Sequence, residues 1–147
     1  MNVVKIQQEL IKDVLSNKSA NWFIQRTDTE VILFTKFQIY LFDHKDFLLK
    51  YSKLVDAGVK ELTTAKNILN SADNAKPAHK TGVIREIGTS KCLELKVEGS
   101  DELVYLDEKL LKHYDKKSEF EATDHKSPVF IYENDILVGV VLPVKVG

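Results

Sequence analysis

Lys109, Lys112 and Lys116 recur at the i, i+3 and i+7 spacing that puts side chains on one face of a helix, with His113 and Lys117 beside them. Ammonium groups in that arrangement can neutralise phosphates and release counterions, which gives sequence-independent, salt-sensitive affinity for duplex DNA. Lys5, Lys12 and Lys18 form a second basic set, interrupted by Glu9 and Asp13. The plainer reading of both sets is a solvated helix face. His44, His79, His113 and His125 have neither HxxxH nor HExxH spacing. A metal site built from His113, the Asp124-His125 pair and a carboxylate would need tertiary convergence. Cys92 lies on an alternating stretch with no histidine nearby, so it reads as a packing or surface residue rather than a nucleophile. Gly82 and Gly88 belong to no GxGxxG or GKS/T phosphate loop. The acidic residues are scattered. This pattern implies a non-enzymatic protein with no cofactor and no metal.

The chain that must position these residues has 147 of them, 44% hydrophobic and 29% charged. That is ordinary globular usage, and it excludes collagen-like, low-complexity and disordered classes. The length suits one domain, residues 1–147. Lys plus Arg number 21 against 22 for Asp plus Glu, leaving −1. A general nucleic-acid or membrane-surface binder shows a larger basic excess, so only a local basic face could serve duplex DNA. The lone Cys92 excludes an intramolecular disulfide. The opening residues 1–9 lack the apolar run of a signal peptide. The longest apolar runs, such as 138–142, fall far short of the roughly 20 residues that span a bilayer. The expectation is a cytoplasmic protein with no membrane partner.

Hydrophobic periodicity lays out the elements. A β-prone opening at 3–6 precedes a helix over 7–16, where Leu10, Ile11, Val14 and Leu15 share a stripe. Strands follow at 22–26, 31–35 and 38–42. An amphipathic segment over 43–55 carries Phe47, Leu48, Tyr51 and Leu54, and 59–70 fits a helix weakened by Thr63-Thr64. The polar stretch 71–81, with Pro77, reads as a loop. Strands are expected at 83–87, 92–97 and 102–106. A helix over 107–115 is capped by Asp107, and strands follow at 119–123, 128–132 and 136–142. Alternation sets Trp22 against Phe23, and Tyr40 with Phe42 against Leu41. One of those faces is core, and the apolar residues of 45–69 are the natural cover for the other.

The two ends repeat one pattern. Each reads strand, helix, three strands, and Leu10-Ile11-Lys12 matches Leu110-Leu111-Lys112 at an offset of 100. The fold class expected is α+β: a first βαβββ unit over 1–43, a helical connection and loop over 44–81, and a second unit over 82–147. The antiparallel sheets would carry two helices on one side. Tandem βαβββ units resemble the DNA-clamp fold of replicative sliding clamps. The closing stretch 127–144, with Pro128, Tyr132, Gly139 and Pro143, is similar to the ends of small phage and prophage proteins of clamp-like type. That resemblance implies an accessory protein of DNA replication or DNA-protein assembly. It makes Lys12, Lys109, Lys112, Lys116 and Lys117 the duplex-facing residues. It also implies a homo-oligomer, about six chains if a ring closes. The rival reading is a small interaction protein that binds a host or phage protein and has no nucleic-acid role.

Overall fold

The structure, a computed structural model, describes residues 1–16, 22–49 and 59–147. Helix α1 runs from Val3 to Leu15, so the strand expected at 3–6 is helical. Two local facts override the β-branched pair Val3-Val4. Asn2 caps the helix by accepting the Lys5 N–H at 3.0 Å. Ile6, Leu10 and Val14 continue one buried stripe.

Three strands follow, β1 (Phe23–Arg26), β2 (Glu30–Phe34) and β3 (Gln38–Asp43). Within 43–49, the described part of the helix expected over 43–55, a 3-10 turn forms at His44–Asp46, capped by Asp43. The segment after it is held extended by tertiary bonds. The buried Gln7 amide donates to the Asp46 carbonyl at 3.0 Å and accepts the Leu48 N–H at 2.8 Å. The remainder of that expected helix, 50–55, lies outside the described residues, as does Lys18.

Helix α2 (Val59–Asn70) fits the periodicity of 59–70. The loop expected over 71–81 is a 3-10 turn and then the start of a long strand, β4 (Lys76–Ile87). This strand crosses the expected boundary at 81/82. Its sequence is polar because almost every position faces solvent, and Pro77 is tolerated near its start. Strands β5 (Ser90–Val97) and β6 (Leu103–Asp107) follow, then a single turn of helix, α3 (Glu108–Leu111), and strands β7 (Glu119–Ala122), β8 (Val129–Glu133) and β9 (Ile136–Val141). The β8–β9 turn, Asn134-Asp135, has both residues at positive φ, as a two-residue hairpin requires.

The nine strands of the described residues join one antiparallel sheet in the order β1-β2-β3-β9-β8-β7-β4-β5-β6. Both halves thus contribute a helix and a three-strand meander, and the last strands, β3 and β9, meet at Ile39↔Val140. A strand precedes the helix only in the second half, so the first βαβββ unit lacks its opening strand.

The sheet is curled. The Leu142 N–H bonds the Phe37 carbonyl just before β3, and the Val144 N–H bonds the Tyr105 carbonyl of β6. Two residues span about 7 Å, whereas six strand spacings of a flat sheet would span about 29 Å. The concave side of the curl holds α1. Every strand sends a side chain into the cluster with Ile6, Leu10 and Val14, from Ile24 of β1 to Leu106 of β6. Leu110 and Leu111 of α3 pack against the same cluster, so α1 and α3 lie on one side. On the convex side α2 covers β2, β3, β8 and β9, where Ala65, Ile68 and Leu69 meet Ile32, Phe34, Ile39 and Phe130. The alternation of Trp22 against Phe23, and of Tyr40 and Phe42 against Leu41, follows this division.

Candidate functional site

The helix expected over 107–115 ends at Leu111, so Lys109, Lys112 and Lys116 do not share a helical face. Asp107 starts it by accepting the Lys109 N–H at 2.9 Å. Beyond Leu111 the backbone is taken by other partners. The Asp115 N–H donates to Glu133 Oε1 at 2.8 Å, and the Ser118 hydroxyl donates to the same oxygen at 3.1 Å. Glu133 also binds the Met1 ammonium. Burial works against the Glu133 charge, but these donors outweigh it and hold its carboxyl below the usual range.

Lys112 reaches across to α1 and pairs with Glu9. His113, 5% exposed, places Nε2 3.0 Å from Glu9 Oε2. Burial raises the Glu9 pKa, yet the bonds from Lys112 and His113 prevail and the carboxyl lies below its ordinary value. This carboxylate–imidazole pair has the composition of general-base machinery. Both ring nitrogens are sealed from solvent, so they meet no substrate, and the pair acts as a clasp between α1 and the turn after α3. Beside it, the Tyr40 and Tyr114 rings lie 5.8 Å apart, tilted by 30°, and burial drives both phenol pKa values well above the ordinary value.

The α1–α3 face carries Lys5, Lys12 and Lys109, all exposed and without an ion pair among the described residues. Glu9 and Asp13 of α1 interrupt them, and Asp13 accepts the Trp22 indole N–H at 2.7 Å. Lys116 and Lys117 lie around the corner. Lys116 joins Lys112 and Lys80 around a cavity of about 340 Å³, and with Lys117 it lines a groove of about 810 Å³. The lysines of these two hollows, Lys80, Lys112, Lys116 and Lys117, are outnumbered by Glu98, Glu108, Asp115, Glu119, Glu121 and Asp135. No net positive field builds up there.

Sequence reasoning placed a strand at 83–87 but not its start at Lys76 or its exposed edge. Strand β4 pairs with β7 only from Lys76 to Ala78. Beyond that point its far edge has no strand partner among the described residues. Val83 and Ile84 there are 43% and 49% exposed. The β4–β5 turn, Gly88-Thr89, closes on Ile87↔Ser90, with Gly88 at φ 60°. In a two-residue hairpin that closing pair exchanges hydrogen bonds, as does Arg85↔Cys92 two positions on. Ile84 and Glu86 therefore turn their N–H and C=O groups outward. The signal for this was the run Gly82-Val83-Ile84, which has β propensity but no polar alternation.

On the convex side of β4–β6, Glu94 is buried, accepting from the Thr81 hydroxyl at 3.0 Å, with Arg85 Nε 2.9 Å from its other oxygen. Arg85 also covers the Tyr105 ring at 5.7 Å. Cys92 is fully buried beside this pair, and burial with the nearby Asp107 and Glu108 carboxylates pushes its thiol up. Among the described residues there is no cluster of three or more His, Cys, Asp or Glu fit to hold a metal, and no helix long and apolar enough to cross a membrane. No protein-family model, curated protein or solved structure matches this chain.

Proposed function

We propose that this chain is a non-enzymatic binding module that docks a partner protein by strand addition along β4. One observation carries the reading: Ile84 and Glu86 present outward backbone donors and acceptors, with exposed Val83 and Ile84 beside them. An unpaired sheet edge of this kind is a template for an extended segment, whose main-chain bonds supply affinity while side-chain pockets supply specificity. The test is selection of displayed random peptides on the intact protein. Binders are expected, and Glu86→Pro should abolish them, because proline removes one outward N–H without touching the β5 ladder. Failure to enrich any binder, or binders indifferent to Glu86→Pro, would overturn the reading.

A second reading keeps the clamp-like accessory role in DNA replication or DNA-protein assembly. It is favoured by α1 and α3 packing on one side of the sheet with Lys12 and Lys109 exposed. Its weakness is charge: Lys5, Lys12, Lys109 and Lys112 face Glu9, Asp13 and Glu108, whereas duplex affinity at physiological salt rests on several neutralised phosphates. It predicts retention on duplex DNA that falls steeply with salt. Retention should also fall when Lys12, Lys109, Lys112, Lys116 and Lys117 are neutralised together.

A further inference from the structure

The sheet is split where its two meanders meet. Strand β3 stays paired with β2 as far as Glu30↔Asp43, but its pairing with β9 stops at Tyr40↔Gly139. Across the gap β9 follows β8 out to Glu133↔Ile136, and its ladder skips Val138, passing from Ile131↔Gly139 to Tyr132↔Leu137. An extra residue of this kind bends a strand. A groove of about 610 Å³ occupies the gap, with Leu41, Phe42, Ile136, Leu137 and Val138 in its walls.

The gap exposes a main-chain edge. The Thr35 N–H bonds the Gln38 carbonyl and the His44 N–H bonds the Thr29 carbonyl, so the even-numbered residues of β3 direct their N–H and C=O groups to β2. Ile39, Leu41 and Asp43 direct theirs the other way. Ile39 meets Val140, whereas Leu41 and Asp43 have no strand partner on that side among the described residues. The charge of the groove is one-sided. Glu30, Asp43, Asp46 and Glu133 line it, and no lysine, arginine or histidine does. Lys45 offsets Asp43 at 3.3 Å, and the Met1 ammonium offsets Glu133. Glu30 and Asp46 have no ion pair among the described residues, so two negative charges remain at an apolar groove. This separates it from the hollows around Lys80 and Lys116, where the signs cancel.

Independently of the docking reading at β4, we propose that this split receives an extended segment of a partner protein carrying two consecutive basic residues. The segment lies along residues 41–43 and takes up the outward groups of Leu41 and Asp43, as in strand addition. Consecutive side chains of a strand point to opposite faces. Glu30 and Asp43 are paired and share the convex face with Leu41, while Asp46 lies on the concave side, where its carbonyl accepts from Gln7 of α1. One lysine or arginine thus reaches Glu30, and the next reaches Asp46. Their aliphatic stems cover Leu41 and Leu137 on one face and Val3 and Val138 on the other. An acidic segment would meet repulsion on both faces.

The test is titration of the intact protein with the peptide Thr-Val-Lys-Arg-Val-Thr and with its counterpart Thr-Val-Glu-Glu-Val-Thr. The basic peptide is expected to bind roughly tenfold tighter or more, because two attractions are exchanged for two repulsions. Its binding should slow hydrogen exchange at the Leu41 and Asp43 amides. Glu30→Lys with Asp46→Lys should reverse the preference, and Glu86→Pro should leave it unchanged. Absence of binding, equal affinity for the two peptides, or a preference unmoved by the double reversal would overturn the proposal and leave strand addition at β4 standing. Charge-dependent binding without protection of Leu41 and Asp43 would overturn it as surface attraction alone. Loss of binding in Glu86→Pro would overturn it by placing the basic segment at β4.

Discussion

The two ends of the sheet are finished differently. Strands β1, β2, β3, β9 and β8 lie between α1 on the concave side and α2 on the convex side, and Leu33, Phe130 and Ile131 are buried accordingly. Among the described residues, strands β7, β4, β5 and β6 have a helix only on the concave side. Their convex face carries Arg85 over Tyr105 with Glu94 and Cys92 beneath, and beyond Ala78 the edge of β4 has no strand partner among the described residues. The first end has the construction of a stable core. The second end spends part of its surface on exposure, the arrangement expected where a scaffold offers an edge for binding.

Substitutions should separate the two ends most sharply by size. At the covered end, Gly139 of β9 lies against Tyr114, and a Cβ there would fall 2.0 Å from the phenol oxygen. Gly139→Ala is expected to destabilise by about 3 kcal/mol in denaturant unfolding. Leu33→Ala should lose a similar amount, about 3 kcal/mol, through cavity formation. By contrast, Ile84→Ser should change stability by less than about 0.5 kcal/mol. Equal losses at the two ends would erase the distinction.

A middle-sized effect concerns the clasp that joins α1 to the turn after α3. The Glu9 and Glu133 carboxyls both lie below their ordinary value of 4.5 in the folded state. A group with a depressed folded pKa stabilises the fold above its unfolded pKa and loses that contribution as pH falls through the folded value. Stability should therefore drop below about pH 4.5, and Glu9→Gln should flatten part of that acid limb. Glu9 is more than a third exposed, so solvent screening keeps its share under about 1 kcal/mol. Unfolding midpoints between pH 3 and 7 would show it, and an unaltered acid limb in the variant would remove Glu9 from the account.

The smallest effect tests the closure of the convex face. Cys92 is sealed, with its thiol pKa raised, so alkylation in the native state should run far slower than in denaturant. Tyr114→Phe removes a buried hydroxyl that has no hydrogen-bond partner among the described residues, and it should be neutral or slightly stabilising. Fast native labelling of Cys92 would show that the self-covered face opens readily.

Most strands were readable because their apolar residues alternate, and that alternation reports burial directly. Leu93, Leu95 and Val97 face the concave side as their spacing requires. The errors fell where local preference and tertiary context disagreed. Val3-Val4 favours a strand, but Asn2 and the buried Ile6 make it helical. Residues 76–81 are polar and hold a proline, yet β5 and β7 pair them into a strand. The candidate lysines were legible as basic residues but not as a surface. Their common face depended on a helix that Glu133 ends by capturing the Asp115 N–H.

What the sequence determined by itself was the α+β class, the absence of an intramolecular disulfide and the split of aromatic residues between two faces. Each of these follows from composition or from a period of two or 3.6 residues. What only the tertiary structure decided was the curl of the sheet, the partners of Lys112 and His113, and the strand edge left open. Those depend on contacts between residues far apart in the chain, such as Val144 with Tyr105 and Glu9 with Lys112. Local periodicity carries no record of such contacts, because it reports which face of an element is buried and not what buries it.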